Sequence, residues 1–80
     1  MGFAKTEAEW AERASRHLKA ELKRAGLTYD DLAERIKEHG FKDETKASIT
    51  NKLKRGTFSA TFFLVCLAAM ELEGVSLEEI

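Results

Sequence analysis

The stretch Leu22-Lys23-Arg24-Ala25-Gly26-Leu27-Thr28-Tyr29-Asp30-Asp31-Leu32-Ala33 decides the fold, because one helix must end in it and another must begin. Glycine tolerates the left-handed conformation that closes a helix, so Gly26 is a stop signal. The apolar Leu27 behind it fits the hydrophobic contact of a Schellman cap. Thr28 can then cap a new helix, with Asp31 three residues on as a weak capping-box partner. Leu27 and Leu32 occupy the two hydrophobic-staple positions around that cap.

Outward from this joint, the same signals recur. Upstream, Thr6 and Glu9 form a capping-box pattern that predicts helix 1 over residues 7–25. Its apolar stripe is Ala11, Ala14, Leu18, Leu22 and Ala25, spaced by three or four residues. Downstream, Tyr29, Leu32, Ala33 and Ile36 make the stripe of helix 2. Helix 3 begins after Asp43 or Thr45 and ends at Arg55, with Ile49 and Leu53 one turn apart as its core residues. Helix 4 starts near Ser59, where Phe58 and Phe63 form a staple, and runs to about Leu72. Gly26, Gly40, Gly56 and Gly74 each follow one of these segments, and Leu27, Phe41 and Val75 each offer a Schellman contact. Residues 75–80 read equally as a strand or as a frayed turn. The expectation is one domain over residues 1–80, an all-α bundle of four to five helices with a short C-terminal tail.

Composition narrows the function. With 44% hydrophobic and 34% charged residues and no proline, the chain can form a packed core, unlike disordered sequences. The lone Cys66 has no internal disulfide partner and is flanked by apolar residues, which predicts a buried, inert thiol in a reducing compartment. No segment has the pattern of a secretory signal, and the longest apolar run, residues 62–70, is too short to cross a bilayer. A cytoplasmic protein without membrane contact is therefore expected. Residues 2–6 fit the Gly-x-x-x-Thr myristoylation pattern, which is common by chance. His17 and His39 have no cysteine or carboxylate at metal spacing, and both are expected at the surface. No serine or cysteine has a recognisable base partner. No metal, no cofactor and no enzyme activity are expected.

Helix 4 differs from the others, because residues 62–70 are apolar on every face. Such a helix is buried all round. In a bundle this small one side would meet water, which predicts a homodimer through Phe63, Leu64 and Leu67.

The charge is uneven. Residues 1–40 carry eight bases and eight acids, residues 41–56 carry five bases and two acids, and residues 57–80 carry four acids and no base. Nucleic-acid binding follows local rather than total charge, so helix 3 is where it is expected. At about 100° per residue, Ile49 and Leu53 face inward, while Ala47, Ser48, Thr50, Asn51, Lys54 and Arg55 face outward. Small Ala47 and Ser48 permit close approach to a groove. Asn51 can bond an adenine edge in two places, and Thr50 can reach a base or a phosphate. Lys46, Lys54 and Arg55 can neutralise phosphates. Thr28 caps a helix whose free N–H groups can also hold a phosphate. The bases of helix 1, Arg13, Arg16, Lys19, Lys23 and Arg24, are read as a solvated face.

The order of words Leu22-Lys23-Arg24-Ala25-Gly26-Leu27-Thr28, Asp31-Leu32-Ala33, Ile49 to Leu53 and Lys54-Arg55-Gly56 resembles the Cro/repressor type of helix-turn-helix domain over residues 18–70. That resemblance implies that helices 2 and 3 are the paired motif and that helix 3 is the recognition helix. Residues 40–44 make its turn longer than the usual three or four residues. The run Glu44-Thr45, Ser48-Ile49, Asn51-Lys52-Leu53, Arg55-Gly56-Thr57-Phe58-Ser59 and Phe62-Phe63-Leu64 is also similar to a family of small bacterial proteins known only as a domain of unknown function. The expected function is a repressor or antitoxin-like regulator that binds double-stranded DNA as a dimer. The alternative is a protein-interaction module on the same bundle without DNA, which the acidic end favours.

Overall fold

Every helix starts on a hydroxyl. In the computed structural model, which describes residues 2–80, the side chains of Thr6, Thr28, Thr45 and Ser59 accept from the backbone N–H groups of Glu9, Asp31, Ser48 and Phe62 at 3.0–3.1 Å. Each satisfies one of the N–H groups that a helix start leaves without a partner. The helices that follow are α1 (Glu7–Ala25), α2 (Tyr29–Lys37), α3 (Lys46–Arg55) and α4 (Ala60–Ala69), with no strand among the described residues. The fold is all-α with four helices, and the first has the boundaries its caps predict. At Thr6 the reciprocal bond lands one residue upstream of the box pattern, since the Glu9 carboxylate accepts from Lys5 N–H at 2.8 Å.

Helix ends are of three kinds, α2 closing on right-handed Glu38 with left-handed Gly40 at φ 97° two residues on. Gly26 and Gly56 sit in the left-handed region at φ 71° and 73°, as expected. Leu27 N–H reaches Leu22 carbonyl oxygen at 3.0 Å, completing the Schellman pattern. Helix α4 departs from expectation. It stops at Ala69, and the left-handed residue is Glu71 at φ 59°, not Gly74. Leu72 N–H closes the motif onto Leu67 carbonyl oxygen at 2.9 Å. Reversal at Glu71 returns Leu72 to the core, and that burial offsets a left-handed cost of about 1–2 kcal/mol. Val75 therefore does not take the Schellman role. Residues 75–80 form a turn, with Glu79 N–H donating to Ser76 carbonyl oxygen at 3.0 Å.

The core joins Leu18 and Leu22 of α1, Leu32, Ala33 and Ile36 of α2, Ile49 and Leu53 of α3, and Phe62, Val65, Cys66 and Leu67 of α4. Helix α2 packs on α3 and α4, and α1 packs on α3. Phe62 is fully buried, with Phe58 and Phe41 ring centroids 5.4 and 6.5 Å away. Burial pushes the Cys66 thiol up to about 12, so it stays protonated and unreactive.

Three expectations are corrected here. Ala25 is exposed, and Ser15 takes a buried place in the α1 stripe, its hydroxyl donating to Leu53 carbonyl oxygen. His17 is half-buried, its ring 6.5 Å from Phe63, and its Nε2 has no hydrogen-bond partner. Leu67 is buried within its own chain and is closed to a partner, whereas Leu64 is 62% exposed. No helix of the described residues is long and apolar enough to cross a membrane.

Candidate nucleic-acid interface

Helix α3 is held from two sides, by α1 and by α2, so its third side is the one left to solvent. Ile49 and Leu53 anchor it with 0% and 1% exposure. Half a turn away from them, Ala47, Asn51, Lys54 and Arg55 are all exposed, as is Lys46 at the start. Among the described residues, Lys46, Lys54 and Arg55 form no ion pair. A helix with two inward anchors, an outermost amide and bases at both ends can enter a major groove by its open side.

The other candidate residues have structural engagements. Ser48 closes the cap of α3: its oxygen accepts from Thr45 N–H at 2.8 Å and its hydroxyl lies 2.6 Å from the Glu44 carboxylate. Thr50 donates its hydroxyl to Lys46 carbonyl oxygen at 2.7 Å, leaving only its lone pairs outward. Thr28 belongs to a complete capping box, Asp31 Oδ2 accepting from Thr28 N–H at 2.9 Å. That N–H bond holds the Asp31 carboxyl below its ordinary value, so it stays ionised beside Asp30 in the first turn of α2. Two carboxylates there disfavour a bound phosphate. Thr28 is the least suited of the predicted contacts.

Part of the local positive charge is neutralised within the molecule. Lys52 ammonium meets both Glu44 oxygens at 2.9 and 3.0 Å and lies 5.4 Å from the Phe62 ring centroid. Burial pushes the Glu44 carboxyl up, but the Ser48 hydroxyl and Lys52 outweigh it and hold it below its ordinary value. This bridge ties the eight-residue link between α2 and α3, residues 38–45, onto α3. Phe41 ties the same link to the core through Phe62. The link exceeds the three- or four-residue turn of the helix-turn-helix pattern, and these two anchors tie it to α3 and to the core.

A feature invisible to local patterning lies on the other flank. A shallow groove of about 760 Å³ runs between the first half of α1 and the end of α3, with Arg16, Lys19, Lys54 and Arg55 in its lining. Its floor depends on Gly56, where a Cβ would fall 2.8 Å from the Ala11 carbonyl oxygen. The Ser15 bond to Leu53 ties the same two helices. The spacing of Arg16 and Lys19 on one face of α1 was visible in the sequence; their facing the end of α3 was not.

No curated protein and no solved structure matches the chain significantly. Residues 10–75 match the family described as Domain of unknown function (DUF6471). That span contains α2, α3 and α4 whole, with most of α1, and the chain belongs to that family.

Proposed function

We propose that this protein is a small DNA-binding regulator, of repressor or antitoxin-like kind, built on a repressor-like helix-turn-helix and acting in the cytoplasm as a homodimer. It binds rather than catalyses. The observation that carries the proposal is the open side of α3: exposed Asn51, small Ala47 one turn before it, and the free bases Lys54 and Arg55 after it. Asn51 reads an adenine edge through paired hydrogen bonds, and Ala47 lets the helix sit close to the base edges. Lys46, Lys54 and Arg55 neutralise phosphates and set the register. Leu64, an exposed apolar side chain on a helix that buries Phe62, Val65, Cys66 and Leu67, joins two copies with Phe63 beside it.

Selection from a random duplex pool, followed by titration at two salt concentrations, tests the proposal. The expected product is a palindrome with half-sites about one helical turn apart, bound with a steep salt dependence. An empty selection at low salt refutes it. The apolar depression lined by Trp10, Val75, Leu77 and Ile80 favours a second function, a protein-interaction module without DNA. In that case the same surface retains a partner protein while duplex DNA is ignored.

A further inference from the structure

We infer that the groove between α1 and α3 is a second seat for the DNA backbone, so that Arg16 and Lys19 of α1 take phosphates beside those held by Lys54 and Arg55. This rests on the proposal that α3 enters the major groove. Four bases from two helices line one continuous depression, against the two acids Glu7 and Glu12. Glu12 is already engaged with Arg16 at 3.4 Å, a loose pair with both side chains largely exposed. Such a pair exchanges readily for a stronger partner, because exposed ion pairs contribute little.

The end of α3 is less hostile to an anion than a bare helix end. Carbonyl groups at the end of a helix carry partial negative charge. At the end of α3 the Leu53 carbonyl accepts the Ser15 hydroxyl, and the Lys52 carbonyl accepts Gly56 N–H at 2.9 Å. Two of the oxygens that would repel a phosphate are thereby engaged. Gly56 and Ser15 lock the two helices together, so the four cations share a rigid frame. The groove shares Lys54 and Arg55 with the open side of α3, so a phosphate strand held by those two bases would run along it. Each strand of a duplex presents about one phosphate per 3.4 Å of its axis, so bases on two neighbouring helices can meet more than one phosphate.

The test compares the double variant Arg16→Ala/Lys19→Ala with wild type on the selected duplex. Both side chains are exposed, so the melting curve should not move. Each phosphate contact adds about 0.9 to the salt slope. The double variant should show a slope shallower by about two, and its binding deficit should be about tenfold larger at 50 mM than at 200 mM salt. Arg16→Lys/Lys19→Arg should bind as wild type does. Lys23→Ala/Arg24→Ala, at the far end of α1, should leave the slope unchanged. An unchanged slope in the Arg16/Lys19 variant overturns the groove assignment while α3 keeps its role. An equal loss in the Lys23/Arg24 variant also overturns it, since net charge alone would then account for the effect. Absence of any duplex binding by wild type defeats both proposals. If the Arg16/Lys19 variant instead lowers the mass of the free protein in sedimentation, the groove holds acidic residues of a second copy, and the phosphate assignment falls.

Discussion

Gly56→Ala tests how α3 is seated. Two separate costs meet at this position. The first is backbone strain: at φ 73° an L-residue costs about 1–2 kcal/mol relative to glycine. The second is steric. The new Cβ would lie 2.8 Å from the Ala11 carbonyl oxygen, 3.0 Å from its carbon and 3.1 Å from the Ala11 Cβ. These are mostly backbone atoms in the middle of a long helix, so α1 and α3 must part, at about 1–3 kcal/mol. The sum is roughly 2–5 kcal/mol, against a total stability of about 4–12 kcal/mol for a chain of this size. At about 4–8 °C per kcal/mol, the melting temperature should fall by roughly 8–40 °C. Gly26→Ala is the internal control. Its φ of 71° imposes the same strain, but nothing lies within 4 Å of the added Cβ. It should lose only the first part, and the entropy taken from the unfolded chain is common to both variants. Gly56→Asn separates the parts again, because asparagine tolerates the left-handed region yet keeps the clash. Urea unfolding followed by helical circular dichroism gives all three values. Equal losses for Gly56→Ala and Gly26→Ala would refute the close approach of α1 to the end of α3, and with it the groove.

Other outcomes follow from the same packing. Leu64→Glu should leave the fold intact and yield the monomer mass in sedimentation, whereas Leu67→Glu should unfold the chain, since a lone buried charge costs several kcal/mol; a folded Leu67→Glu protein would contradict its place in the core. The depressed Glu44 carboxyl contributes stability that is complete above the ordinary glutamate range and is lost as pH falls through its native value. Urea midpoints of Glu44→Gln and wild type should therefore differ at pH 7 and converge as the pH falls below the native value of the carboxyl. Cys66 should resist alkylation in the native protein at pH 8 and react at once in urea, as mass spectrometry will show; rapid native labelling would contradict its burial.

What was legible in the sequence was local. A hydroxyl followed by a helix, a glycine followed by an apolar residue, and the Ile49–Leu53 pair are signals carried within a few residues. They placed α1 and α3 correctly, together with the starts of α2 and α4. The end of α4 does not follow the glycine signal: the left-handed residue is Glu71, not Gly74, and the turn there packs Leu72 against the core, a tertiary matter. Ser15 escaped notice for the same reason: a serine in a helix stripe reads as a break until Leu53 carbonyl oxygen is seen opposite. At the candidate interface, Asn51, Ala47, Lys54 and Arg55 were readable from helical periodicity alone. Ser48 was not, because its part in the cap competes with an outward role that periodicity also allows. Lys52 and Glu44 stand eight residues apart, and their pairing requires the 38–45 link to fold back on α3. Arg16 and Lys19 looked like ordinary solvated bases because nothing in the α1 pattern tells which helix they face.

In the proposed function the open side of α3 reads bases. Asn51→Ala, measured on the selected duplex and on a scrambled duplex of equal length and salt, tests it most directly. Asn51 is exposed and holds up no part of the core, so the variant folds as wild type. Loss of an adenine contact should weaken the selected duplex by about 1–3 kcal/mol, roughly fivefold to more than a hundredfold in Kd, and leave the scrambled duplex almost unchanged. Equal affinity of variant and wild type for the selected duplex, or an equal loss on both duplexes, would contradict base reading by α3.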